Sequence, residues 1–172
     1  MRKGLSRRGW CLAVTGATLG LALPAAAAPA ISPADQARAF LTDYFAPEQK
    51  PPQRRARRFE DWMTSRFAGI YRRALQKSQG AEDPFLEADP VLRAQDSDRP
   101  GDIRIENVGG APDRPAVTVS FRVFAGDAQR TTQILVFAED RGEWRLFDIL
   151  SPGEEGQPAS LRASAERYVR GR

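Results

Sequence analysis

The sequence predicts an α+β domain in which helices precede an antiparallel sheet. Two segments with apolar residues at helical spacing come first, at about 33–45 and 59–79. From residue 103 onward, apolar and polar residues alternate, which is typical of strands with one buried face. We therefore expect the first two helices to pack across one face of a curved antiparallel sheet of about four strands.

The first helix is predicted to begin at Ser32-Pro33 and to end at Pro47. Ser32 suits the N-cap, Pro33 suits the first turn, and Asp35 favours the positive end of a helix. One apolar face follows, made of Ala37, Phe40, Leu41, Tyr44 and Phe45.

The second helix is predicted over 59–79, with a bend at 64–65 as the alternative, and a polar linker (48–58) precedes it. We expect a short helical turn to begin at 83–84 and to bury the apolar residues Phe85, Leu86, Val91 and Leu92.

The strands are predicted from alternation and from turn residues between them. Their expected positions are around 103–105, 117–123, 130–137 and 143–150. A last amphipathic helix is predicted over 160–169.

The first 27 residues are predicted to be a cleaved secretory signal peptide. Basic residues, an apolar run over 10–23 and the small residues Ala25–Ala28 form its three parts. Cleavage after Ala27 would leave a single mature domain over 28–172, and cleavage after Ala30 is the alternative. A membrane anchor is the competing interpretation, but the apolar run is shorter than the roughly 20 residues of a span. We expect a periplasmic or secreted protein without a membrane segment, exported by the general or the twin-arginine route.

Composition excludes several kinds of chemistry. The chain has 26 basic and 22 acidic residues. Four of the basic residues lie in the predicted signal, so the mature domain is neutral and no nucleic-acid partner is expected. The one cysteine, Cys11, also lies there, and histidine is absent. Cysteine and histidine catalysis and zinc sites built on these residues are therefore excluded, and no metal or cofactor is predicted.

Charge is distributed unevenly along the chain. The segment 50–77 is rich in arginine and lysine, and the segment 82–113 is rich in aspartate and glutamate. One interpretation is a bipolar surface for an anionic partner or for self-association. The other is that these charges only solvate helix faces and loops, as charge runs usually do.

Two groups of carboxylates are candidates for a site. Alternation along 143–150 places Asp148 on the same face as Trp144 and Leu146, where it is a weak candidate for a general base. The alternative is that Asp148 pairs with an arginine or caps a helix. Asp96, with Asp98 and Asp102, is the nearest approach to a calcium loop, but it lacks the required glycine and terminal glutamate.

Four short motifs resemble a bacterial family of exported domains of unknown function. They are Asp83-Pro84-Phe85, Ala94-Gln95-Asp96, Glu143 to Ile149, and Ser160-Leu161-Arg162. The resemblance covers about residues 36–170 and implies the cystatin-like cone of the nuclear-transport-factor-2-like superfamily. In such a cone a ligand would lie between the sheet and the helices.

The resemblance also implies candidate site residues. The ligand- or partner-binding candidates are Asp83, Phe85, Gln95, Asp96, Trp144 and Asp148. Steroid-isomerase-like relatives use an aspartate base with hydroxyl donors, for which Asp148, Tyr44 and Tyr71 would be the nominees. Fold cannot choose among the activities of this superfamily.

Our leading hypothesis is an exported, non-catalytic domain that binds a protein or a small molecule. A homodimer is a further candidate assembly. One alternative is a small carboxylate-dependent isomerase or dehydratase with Asp148 as base. Another is an immunity or inhibitor protein for a secreted toxin.

Overall fold

A computed structural model describes residues 31–46, 58–95, 100–124, 126–153 and 156–171. The predicted signal peptide, nearly all of the predicted linker, and Asp96 and Asp98 lie outside the described residues.

The elements follow the predicted order of helices and then strands. The helices are α1 (Pro33–Tyr44), a 3₁₀ helix (Phe59–Trp62), α2 (Ser65–Ser78) and α3 (Leu161–Arg170). The strands are β1 (Gly101–Ala111), β2 (Arg114–Arg122), β3 (Thr131–Asp140), β4 (Glu143–Ser151) and β5 (Ala159–Ser160). The α+β prediction is confirmed.

The strands form one antiparallel sheet in the order β1-β2-β3-β4-β5. The sheet is open, and its fifth strand is a two-residue segment that the alternation did not predict. This short strand pairs with the end of β4 and leads directly into α3.

The start of α1 is the predicted one. The Ser32 hydroxyl accepts a hydrogen bond from the Asp35 amide at 3.1 Å, and Pro33 occupies the first turn. The helix ends at Tyr44, before the predicted stop at Pro47.

The prediction of one helix over 59–79 was wrong, and the alternative break at 64–65 is found. Met63 forms a parallel bridge with Leu146, and the Thr64 amide donates to the Leu146 carbonyl at 2.8 Å. The edge of β4 therefore interrupts the helix, and α2 restarts with Thr64 as its N-cap. The helical turn expected at 83–84 is also absent there, and an i to i+4 turn lies later in the same stretch, where the Arg93 amide donates to the Asp89 carbonyl at 2.8 Å.

The core lies between the helices and one face of the sheet. Alternate residues of β2 point into it, as predicted, and Val117, Val119 and Phe121 are fully buried. The largest completely buried side chains come from helices and strands alike, including Phe40, Phe67, Phe121, Phe137, Leu135, Leu146 and Ile149.

A β-bulge in β4 corrects the predicted position of Asp148. Phe137 pairs with Leu146 but Val136 pairs with Asp148, so Phe147 is an extra residue in the strand. The bulge shifts the alternation by one residue. Asp148 therefore leaves the face of Leu146, where simple alternation had placed it.

In the part of the chain that the structure describes, no helix is long and apolar enough to cross a membrane.

Candidate functional site

Asp148 joins the end of the sheet to the start of α3. Its Oδ1 accepts hydrogen bonds from the amides of Ile149 and Arg162 at 2.8 and 2.9 Å. Its Oδ2 accepts one from the Ser160 hydroxyl at 2.6 Å. Ser160 is the N-cap of α3 and accepts from the Ala163 amide at 2.9 Å. A carboxylate here satisfies the free helix amide of Arg162 and complements the positive end of the helix dipole.

Asp83 and Phe85 lie where the loop after α2 contacts α3. The Tyr168 hydroxyl donates to the Asp83 carbonyl at 2.8 Å, and the Phe85 amide donates to the Ser78 hydroxyl at 2.8 Å. The Phe85 ring lies 5.8 Å from the ring of Tyr71 and 5.6 Å from that of Tyr168. These contacts fasten the loop to both helices.

Gln95 and Trp144 make separate local contacts. The Gln95 amide group donates to the Glu87 carbonyl at 3.3 Å within one loop. The Trp144 carbonyl accepts from the buried Gln36 side chain at 2.8 Å, which ties β4 to α1. Asp96 lies outside the described residues.

A cleft of about 280 Å³ brings together two of the predicted neighbourhoods. It is lined by Phe85 on one side and by Ser160, the partner of Asp148, on the other. Asp83, Gln95 and Trp144 do not line it, so the six predicted residues do not form one pocket rim.

The two tyrosines nominated as hydroxyl donors lie in an aromatic cluster. The Tyr44 hydroxyl donates to Asp89 at 2.6 Å, and the other Asp89 oxygen accepts from the amides of Val91 and Leu92 at 2.8 and 2.7 Å. Burial and the Asp89 carboxylate raise the pKa of Tyr44 well above its ordinary value. Burial likewise raises the pKa of Tyr71, which is 5% exposed. The hydroxyl of Tyr44 is thus committed to Asp89 and not to Asp148.

Asp102, the last carboxylate of the rejected calcium loop, is held by arginines. Its Oδ2 accepts from Arg130, and the same oxygen lies 3.3 Å from Arg104 and 3.5 Å from Arg122. The hydrogen bond from Arg130 and the charges around it lower the pKa of the Asp102 carboxyl. Three guanidinium groups at one carboxylate disfavour a bound cation.

A second cleft, of about 580 Å³, lies beside the turn between β3 and β4. Its charges are largely satisfied within the fold. Arg145 bonds to Glu143 at 2.5 Å and to the Asp61 carbonyl, and the Asp140 carboxylate accepts from the Ser65 amide at 2.5 Å. Hydrogen bonding to this first amide of α2 lowers the pKa of Asp140.

A third cleft, of about 300 Å³, lies between α2 and α3, and we call it the arginine cleft. Among the described residues, six line it, namely Arg66, Ile70 and Arg73 of α2 and Glu166, Val169 and Arg170 of α3. The basic segment over 50–77 is evident in the sequence, but the sequence did not predict this cleft. The sequence feature that could have indicated the arginine cleft is the spacing of Arg66, Ile70 and Arg73. They lie four and three residues apart and so share one helix face.

The fold and its clefts define an α+β domain with a filled interior and charged surface depressions. No family model matches the chain, and no solved structure matches it. A stretch of 70 residues is 36% identical to the uncharacterized protein YqhG of Escherichia coli strain K12. This stretch is 39% of the present chain and 22% of the relative, so the chain matches about a fifth of that protein's length.

Proposed function

We propose that this chain is an exported, non-catalytic domain that binds another protein. The main observation that supports the proposal is the position of Asp148, the candidate general base. Both oxygens of Asp148 are engaged with the start of α3, at 2.6 to 2.9 Å. A general base must be within hydrogen-bond reach of a substrate proton, whereas this carboxylate is surrounded by donors of its own chain.

The filled interior supports the same proposal. An isomerase of the cone type would hold its ligand between the sheet and the helices. In the described part of the chain, that space is occupied by phenylalanines that are at most 1% exposed, namely Phe40, Phe67, Phe121 and Phe137. The clefts found are depressions at the surface, where a macromolecular partner has access.

Export follows from the predicted signal over residues 1–27. The mature domain would then lack cysteine and rely on its core, since a disulfide could not form. The aromatic cluster around Tyr44 and Tyr71 and the core phenylalanines provide such a core. An inhibitor of a secreted toxin would be one form of the proposed binding domain.

The test is a native mass spectrum of the protein, after expression of the full chain and isolation from the host envelope. We expect a mature mass that begins at Ala28 or Ile31, with a bound protein or a second copy of the chain. An intact or lipid-bearing mass would contradict cleavage and release. A bound small molecule would contradict the proposed protein partner and would support a ligand-binding pocket.

A further inference from the structure

We propose that the arginine cleft binds an acidic segment of a partner protein, with an apolar side chain of that segment on the cleft floor. This inference rests on the proposed function and names the surface and the chemistry of the partner.

Arg66 and Arg73 supply the positive charge. Both are exposed, and both lie on the face of α2 that borders α3. Within the described residues neither forms an ion pair. Two guanidinium groups without a carboxylate of their own can each accept an external one, and arginine binds carboxylates in a planar, two-pronged geometry.

Glu166, the one acidic residue among the described residues that line the cleft, does not neutralise these arginines. Glu166 lies 3.1 Å from Arg162 and 3.9 Å from Arg170, both on α3 at helical spacing. Its charge is therefore balanced within α3. The excess positive charge lies on the α2 side, at Arg66 and Arg73.

The apolar floor of the cleft favours a peptide over other anionic ligands. Ile70 is 7% exposed and packs with Ala74 and Ala165, and Val169 is half-buried beside them. An apolar floor between cations suits a chain that carries both carboxylates and apolar side chains. A nucleic acid would find no aromatic ring among the lining residues that the structure describes, and Glu166 would face its phosphates.

The two walls are held in place before any partner arrives. The Lys77 amine donates to the carbonyls of Tyr168 and Val169 at 2.7 and 3.2 Å, which joins the end of α2 to the end of α3. Ala74 and Ala165, both fully buried, pack between the helices. A preformed cleft lowers the ordering cost of binding.

The experiment measures binding of a defined probe to the protein expressed as the full chain and purified from the envelope. The probe is a fluorescent peptide that alternates glutamate with leucine, followed by fluorescence anisotropy. A peptide with lysine in place of glutamate and a single-stranded DNA oligonucleotide are the comparison probes. The cleft variants are Arg66→Glu and Arg73→Glu. Arg38→Glu is the matched control, because Arg38 is an exposed arginine on α1 with the same change of charge.

We expect the glutamate peptide to bind and the lysine peptide not to bind. Each cleft variant should weaken binding at least about fivefold, because an exposed charge pair contributes up to about 1 kcal/mol and reversal adds repulsion. Arg38→Glu should change affinity less than about twofold, and binding should weaken from about 50 to about 300 mM salt.

Three results would overturn the inference. They are no binding of the glutamate peptide at low salt, equal weakening by all three variants, and tighter binding of the DNA with the same dependence on Arg66 and Arg73. Equal weakening would show a response to net charge alone. None of these results alters the native mass spectrum, so the proposed function would be judged separately.

Discussion

Replacing Asp148 by asparagine removes a negative charge from the start of α3 while keeping the shape of the side chain. The carboxylate accepts from the amides of Ile149 and Arg162 and from the Ser160 hydroxyl, and it is 9% exposed. Hydrogen bonds to a charged group are stronger than neutral ones, and the helix dipole favours the charge. We expect Asp148→Asn to lower the free energy of unfolding by about 1–2 kcal/mol, measured by urea denaturation.

The control for this change is Asp113→Asn. Asp113 is exposed in the turn between β1 and β2, so its substitution should stay within about 0.5 kcal/mol of the parent. Equal unfolding midpoints for the parent and Asp148→Asn would contradict the assigned capping role.

The position of Asp148 also shows a limit of sequence reasoning at this scale. Strict alternation assigns every second residue of β4 to the face of Trp144 and Leu146. One extra residue in the strand reverses that assignment for the residues after it, and the sequence pattern does not reveal such a residue. The bulge at Phe147 depends on the pairing of β4 with β3, which is a contact between distant parts of the chain. The sequence did allow a helix-capping role as an alternative, and the hydrogen bonds match that alternative.

At the scale of one helix, Gly69 offers a test of local propensity within α2. Its missing side chain would meet only the end of the Arg73 side chain, at 3.8 Å, which is an ordinary van der Waals contact. Glycine inside a helix costs about 0.5–1 kcal/mol relative to alanine. We expect Gly69→Ala to raise the free energy of unfolding by about that amount in a urea titration.

The matched control is the same substitution at Gly110 in β1. Gly110 has a φ of +85°, and an added Cβ would lie 2.5 Å from the Arg114 carbonyl oxygen. Gly110→Ala should therefore lower stability by more than about 1 kcal/mol. If both variants shifted stability in the same direction, the backbone conformations assigned to these glycines would be wrong.

The helices and strands differ in how far the sequence alone predicts them. The starts of α1 and α3 follow from Ser32 and Ser160, whose hydroxyls accept hydrogen bonds from amides three residues later. The start of α2 follows from local sequence only in part. Thr64 is a cap of the same kind, since its hydroxyl accepts from the Phe67 amide at 3.4 Å, but the apolar spacing continues through Met63, which a bridge to Leu146 removes from the helix. Local rules therefore identify a candidate cap, and a tertiary contact decides that the helix is interrupted there.

For the whole molecule, the spacing of apolar residues in the sequence predicted the fold class, whereas the distribution of charged residues did not predict where the arginine cleft lies. Alternation in β2 and helical spacing in α1 predicted which faces meet, because core formation selects for these periods. The arginine cleft depends on where α3 packs against α2. That packing involves small residues such as Ala74 and Ala165, which carry little signal in a sequence.

The stability of the whole molecule should fall in alkali because of two buried phenols. Burial raises the pKa values of Tyr44 and Tyr71, whereas in the unfolded chain both should ionise near the ordinary value of about 10. As pH rises through that value, the unfolded chain loses these protons first, and proton release favours unfolding. The stability that the two phenols contribute is therefore fully present below about pH 10 and is lost above it. The loss is up to about 1.4 kcal/mol per pH unit for each phenol that stays protonated in the folded chain.

The measurement is urea denaturation at a series of pH values from about 8 to about 11. Tyr44→Phe with Tyr71→Phe should flatten the alkaline loss, although removal of the bond from Tyr44 to Asp89 lowers stability at neutral pH. Phe121→Leu is the control, because it weakens the core without removing a phenol and should keep the parental slope. An alkaline slope that is the same in the double variant and the parent would show that these two hydroxyls do not control the transition.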